Sequence, residues 1–262
     1  MLTDEQWTKL APLFPEPVRS ARGGQTPIDN RHCFEGILWM LRYGAAWKAL
    51  PRGYPSASTC WRRLQDWADD DVLEEAWRVL LGELDQRGRL VWEECFADAT
   101  FIPAKKGGLE SGKPKRGKGT KLVVVADGEG VPLGLCVESA SPHESTLIEA
   151  TLDDVNVPRR DRRRSPRKVT RLIYDRAADS DPLRKRLEER GVELICPHRV
   201  NRRKPKLQDG RKLRRYRRRW KIERTFAWLQ NYRRLAIRYE RKPQLFQAFV
   251  HVACLLITLK RL

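Results

Sequence analysis

Apolar side chains recur every three or four positions through the first 90 residues and then give way to alternation, which predicts a helical unit followed by strands. Thr3 with Gln6 three positions later reads as a capping box, and Trp7, Leu10, Leu13 and Phe14 follow at helical spacing until Pro15. Asp29 starts a second helix, with Phe34, Ile37, Leu38 and Leu41 on one side and Gly44 at its end. A third, from about Ser58, carries Trp61, Leu64 and Trp67, with Arg62 and Arg63 on its polar side; a fourth runs from about Asp71 to Leu84. The Gly/Pro/Ser-rich turn between the second and third is compatible with a helix-turn-helix, whose later helix enters the major groove, and equally with a bundle that reads no DNA.

From Val91 to Ile102 the period is two, placing Phe96, Asp98 and Thr100 on one face of a strand and Ala97, Ala99 and Phe101 on the other. A Gly-, Lys- and Pro-rich stretch, 103–120, reads as a flexible basic loop. The hairpin signal Asp127-Gly128-Glu129-Gly130 then separates the strands Lys121 to Val125 and Pro132 to Val137. Glu144 to Val155 reads as a helix, 158–168 as an Arg-rich loop, Arg171 to Tyr174 as a strand ending at Asp175, Ser180 to Arg190 as a helix stopped by Gly191, and Val192 to Cys196 as a strand. A basic stretch from Arg199 to Leu213 leads into a helix from about Arg214 to Tyr232, and an apolar helix from about Gln244 closes the chain. The order β-β-β-α-β-α-β-α defines an α/β sheet with helices on its faces.

Composition sharpens this picture through charge. The 262 residues hold 53 Lys+Arg against 34 Asp+Glu, a formal net charge of +19. Such a balance attracts a polyanion by screened Coulomb forces and counterion release, which favours nucleic acid over a membrane; the bland alternative is solubility alone. Fourteen Lys/Arg lie between Arg199 and Arg224 against only Asp209 and Glu223, a density that a phosphate partner relieves. Trp220, Phe226, Trp228 and Leu229 read as a buried face rather than base-stacking platforms. Cys33, Cys60, Cys95, Cys136, Cys196 and Cys254 show neither CxxC nor zinc spacing and read as reduced core residues, and Cys196-Pro197-His198 lacks a second ligand pair. No basic-then-apolar leader opens the chain, and the run from Phe246 to Leu259 falls short of the ~20 residues that span a bilayer, so a cytoplasmic protein without membrane partners is expected.

One carboxylate at a strand end is ordinarily a cap or an ion-pair partner. Three shift the balance: Asp98 in the first strand, Asp175 ending the fourth, and Glu223 in a basic helix. With strands one and four adjacent, the first two lie side by side under the third. Such a group repels itself unless it ligates hard divalent ions, and two Mg²⁺ fit best, with Mn²⁺ as a substitute. Two-metal sites carry out in-line phosphoryl transfer.

The segments Arg171-Leu172-Ile173-Tyr174-Asp175-Arg176-Ala177-Ala178-Asp179-Ser180-Asp181 and Tyr216-Arg217-Arg218-Arg219-Trp220-Lys221-Ile222-Glu223-Arg224-Thr225-Phe226-Ala227-Trp228-Leu229 resemble insertion-sequence transposases of the IS5 group, within the IS4-like DDE class. The resemblance extends to Leu2 to Trp7 and Gly36 to Gly44, and so covers nearly the whole chain. It implies a helical, helix-turn-helix-like DNA-binding domain over 1–90 and an RNase H-like catalytic domain with a mixed sheet over 91–262. It places the metal-binding catalytic carboxylates at Asp98, Asp175 and Glu223. It also implies DNA contacts from Tyr216, Arg219 and position 230, the last being Gln230 where the family pattern has a Lys that holds phosphate. Ala178 stands where related sequences often carry an aromatic. Double-stranded DNA, both element ends and target, is the implied partner, with self-association on it in the bacterial nucleoid. A catalytically silent DNA-binding derivative and a stand-alone RNase H-like nuclease are the competing readings; the intact carboxylates argue against the first, and the helical N-terminal region against the second.

Overall fold

A computed structural model describes residues 2–17, 26–105, 117–158 and 167–262. The middle of the basic loop (106–116) and most of the Arg-rich loop (159–166) lie outside the described residues.

The N-terminal helices begin where local capping chemistry places them. Helix α1 (Asp4–Leu10) starts at the Thr3/Gln6 capping box and runs into a short 3-10 turn, Ala11–Leu13. Helix α2 (Asn30–Tyr43) is capped by the Asp29 carboxylate on the His32 N–H and ends at Gly44, whose φ of 63° suits a residue without a Cβ. Helix α3 (Ala57–Asp69) is capped by Ser56, and α4 (Val72–Gln86) follows Asp71. The segment joining α2 to α3 includes a 3-10 turn at Trp47–Ala49 and is longer than the short turn of a helix-turn-helix.

Alternation then builds the sheet. Strands β1 (Cys95–Pro103), β2 (Gly119–Ala126) and β3 (Pro132–Ser139) form an antiparallel meander, while β4 (Arg171–Ile173) and β5 (Glu193–Ile195) add in parallel, in the order β3-β2-β1-β4-β5. The β2–β3 turn is tied by Asp127, whose carboxylate accepts the Glu129 and Val131 N–H groups, with Gly130 at φ 81°. Helix α5 (Glu144–Asp153) packs on β2 and β3, and α6 (Asp181–Glu189) on β5.

The expected helix from Arg214 to Tyr232 is broken. A short α7 (Gly210–Leu213) gives way to a 3-10 stretch, Arg214–Arg219, before α8 (Trp220–Gln230), a short α9 (Arg233–Ala236) and α10 (Pro243–Leu259). Three residues per turn stack positions i and i+3, so Arg215 and Arg218 both reach the buried Glu94, at 3.1 and 2.7 Å. An α-helical pitch would fan them apart.

Helix α10 is apolar all round and is covered on all sides, by α4 and α3 of the N-terminal unit and by β3 and α8 of the sheet unit. Trp77 of α4 stacks on His251 of α10 at 5.8 Å, and burial, with Arg78 nearby, presses the His251 pKa down to about 3, so the ring is neutral. Beside it Arg78, 5% exposed, donates to the Leu133 carbonyl at 2.7 Å and pairs with Asp154 at 2.8 Å and Glu74 at 3.1 Å, tying α4 to β3 and the end of α5. No described helix is long and apolar enough to cross a membrane.

Replacing Arg78 with Met strands Asp154 and the Leu133 carbonyl while keeping the apolar stem. Loss of one partner from so enclosed a network should cost about 3 kcal/mol in urea unfolding. A change under about 1 kcal/mol would show that Arg78 does not hold the two units together.

Candidate functional site

Asp98 sits on the face of β1 that also carries Phe96, opposite Val124 of β2. On the other side β4 pairs Phe96 with Ile173, and the parallel register carried two residues further brings Asp98 level with Asp175. The two carboxylates therefore lie level on neighbouring parallel strands, Asp98 within β1 and Asp175 just past the end of β4. Asp175 is held by the Ala177 N–H at 2.7 Å, which starts a 3-10 turn, Arg176–Ala178. Ala178, at the family's aromatic position, is fully buried there. Burial pushes the Asp98 carboxyl above the usual carboxylate range, Asp175 pushes it further, and Arg219 with the Ala99 N–H pulls it back.

Helix α8 carries the third carboxylate and is pinned to the β2–β3 turn. Lys221 bonds the Gly128 carbonyl and pairs with Glu129 at 3.1 Å, Arg224 donates to the Glu129 carbonyl at 2.7 Å, and Thr225 to the Gly130 carbonyl at 2.8 Å. These ties set the face of α8 on the Phe96 side of the sheet, where the Lys221 ammonium lies over the Phe96 ring. Glu223 is 60% exposed in the first half of the helix, and Gln230 is exposed at its end, two turns on and along nearly the same face.

Arg219 joins the group. Its guanidinium lies 2.5 Å from Asp98 and 3.6 Å from Glu223, with Tyr216 of the preceding 3-10 turn beside it. Burial lowers the affinity of Arg219 for its proton, and Asp98 more than restores it. A cation thus stands between two of the three expected ligands, which is what this set of hard oxygen donors attracts. The donor chemistry fits a divalent ion. As they stand, however, no three acidic, His or Cys groups among the described residues lie close enough to hold one.

The basic segment is not the bare phosphate-seeking surface that its composition suggests. Eight of its fourteen cations pair with carboxylates: Arg202 and Lys204 with Asp181, Arg211 with Asp209, Lys212 with Glu193, Arg215 and Arg218 with Glu94, Arg219 with Asp98, and Lys221 with Glu129. Of the other six, Arg199 and Arg224 donate to backbone carbonyls, and Arg203, Lys206, Arg214 and Arg217 have no carboxylate partner among the described residues. Nor is the aromatic set a single buried face. Phe226 and Leu229 are buried, but Trp220 is 50% exposed, and Arg224 lies over both Trp220 (4.9 Å) and Trp228 (4.8 Å).

Asp179, unremarked as a site residue in the sequence, is the hub of the loop that follows Asp175. It accepts from Arg184 at 3.1 Å, the Arg199 N–H at 2.7 Å and His198 Nδ1 at 2.9 Å. The Leu207 N–H donates to His198 Nε2, which fixes the Nδ1–H tautomer and accounts for Cys196-Pro197-His198 without a metal. Burial alone would lift the Asp179 carboxyl; the Arg199 N–H, His198 and Arg184 outweigh it and hold the pKa at about 2.

A mixed sheet of this order, with carboxylates level on its central parallel strands and a carboxylate helix across them, defines the RNase H-like class of folds. The piggyBac transposase in its synaptic complex with hairpin DNA shares the fold, with a TM-score of 0.56 at 11% identity, covering 99% of this chain and 72% of that one. Residues 93–258 match the family described as "Transposase DDE domain", and residues 2–77 that described as "Putative transposase of IS4/5 family". The "Putative transposase for insertion sequence element IS402" of Burkholderia cepacia is 35% identical over 162 residues, 57% of this chain and 72% of that protein. An IS402 "uncharacterized 16.2 kDa protein" is 34% identical over 117 residues, 43% of this chain and 80% of its own length. The chain belongs to the DDE transposase family, in its IS4/5 branch.

The Asp179 linkage has a definite sign. A carboxyl held below its unfolded value near 3.9 adds stability that is complete above pH 4 and is lost as pH falls towards 2. For a shift of this size the contribution is about 2 kcal/mol, and Asp179→Asn should lose at least that at pH 7 while flattening stability between pH 4 and 2. An unchanged acid profile in the variant would remove Asp179 from this role.

Proposed function

We propose that this transposase cuts DNA at the ends of its element and joins the freed ends to target DNA, with Asp98, Asp175 and Glu223 as the ligands of two Mg²⁺, for which Mn²⁺ substitutes. What carries the reading is the pair of carboxylates level with each other on adjacent parallel strands, under a helix that bears the third. Divalent ions held there would supply a clamp on the attacking and leaving oxygens of an in-line displacement at phosphorus. The same displacement serves twice, with water as nucleophile in cleavage and the released 3′-hydroxyl in strand transfer. Arg219 has to leave Asp98 for both carboxylates to turn to the ions, and a DNA phosphate is the anion that takes it over. Tyr216 orients Arg219, and Gln230 faces the path of the strand beyond Glu223. Residues 1–90 recognise the element ends, 91–262 carry the chemistry, and copies assemble on duplex DNA in the bacterial cytoplasm.

Asp98→Ala, Asp175→Ala and Glu223→Ala should each abolish Mg²⁺-dependent cleavage of an end-bearing duplex while leaving end binding largely intact. Any one of them that still cuts has lost its place in the site. Gln230→Lys adds a charge-assisted contact in place of a neutral one and should tighten end binding at low salt by about 0.5 to 1.5 kcal/mol, an advantage that high salt erodes. Equal affinities at low salt would mean that position 230 does not face DNA.

A further inference from the structure

Most cations of this chain near the carboxylate helix are spent on carboxylates, which makes an unspent group conspicuous. Arg42 in the last turn of α2, Lys260 and Arg261 just beyond α10, and Trp228, Asn231 and Tyr232 at the end of α8 line a cavity of about 390 Å³. None of the three cations has a carboxylate partner among the described residues, and all three are exposed. Arg261 is held flat over Trp228 at 5.0 Å, a contact that orders its guanidinium without neutralising it. Helix ends account for part of the charge, since three C-terminal ends meet here and each carries roughly half a negative charge. Three whole positive charges still leave an excess.

We infer that this cavity is a phosphodiester-binding site for duplex DNA, bridging the N-terminal helices and the carboxylate centre. The inference rests on the transposase reading and adds a contact that the reading does not contain. Two guanidiniums, an ammonium, the Asn231 amide and the Tyr232 hydroxyl together offer the donors that a phosphate's oxygens accept, and the volume takes the adjoining sugar. Position supports the assignment. Trp228 lies five residues beyond Glu223, about 7.5 Å along α8 and about 140° round it, so the cavity sits round the helix from the carboxylates, within the width of a duplex engaged there. Because Arg42 belongs to α2, the same phosphate touches both units of the protein.

The test uses the whole chain with labelled duplexes of the element end and of target DNA. Arg42→Gln/Lys260→Gln should weaken binding about tenfold at low salt and flatten the dependence of log K on log salt by about one to two, since each phosphate contact contributes about 0.9. Lys168→Gln/Lys185→Gln removes the same charge from just before β4 and from α6, and should change affinity less than about twofold. Equal losses in the two double variants would mean that only net charge matters and would overturn the site. A photoreactive side chain in place of Asn231 should crosslink to DNA; capture of the end duplex assigns the cavity to the element, capture of the target duplex assigns it to the target, and capture of neither overturns it. A wild-type protein that binds no duplex at any salt would instead sink the transposase reading, and the cavity's role with it.

Discussion

Two carboxylates level with each other on neighbouring parallel strands repel, and β1 and the end of β4 hold Asp98 and Asp175 in that position. Burial makes the repulsion worse by removing the water that would screen it. The architecture around the strand ends is the answer to that cost. Arg219 is drawn in against Asp98 and Glu223, the 3-10 stretch before it brings Arg215 and Arg218 onto Glu94, and α8 is bolted to the β2–β3 turn so that Glu223 stays in reach. The basic segment is thus first a structural counterweight to buried acid and only in its remainder a surface for polyanions.

Features that depend on near neighbours were legible in the sequence. Thr3 with Gln6, Asp29 and Ser180 start helices through bonds to residues three positions away, and Asp127 ties its own hairpin. Alternation in β1 placed Asp98 on the face away from Ala97 and Ala99, while the adjacency of strands one and four was a supposition that the sheet order bears out. The carboxylate pair followed from the two together.

Ion pairs over long separations were not legible. Glu94 meets Arg215 and Arg218 across more than 120 positions, and neither the acid nor the two arginines carries a local sign of the others. Composition made the run look unneutralised because its counter-charges lie in and just before β1, on β5 and in the hairpin turn. Helix propensity likewise favours an unbroken α-helix over 214–232; tertiary carboxylates selected the tighter winding instead. Arg224 between two tryptophans shows the same limit for the aromatics, whose helical spacing did not distinguish a buried stripe from a cation sandwich.

Helix α10 also imposes an order in time. The apolar face of α4 is complete once residue 86 is made, yet the helix that covers it begins at Pro243. At roughly 5 to 20 residues per second a ribosome separates those events by about 10 to 30 s, far longer than a helix needs to form. During that interval Trp77 and its neighbours have no permanent cover, and closing the core brings together segments more than 150 positions apart, the kind of non-local closure that slows folding. Nascent chains therefore pass through a sticky, half-built state, in which the N-terminal helices cannot be locked in place before the sheet and the helix after it have been synthesised.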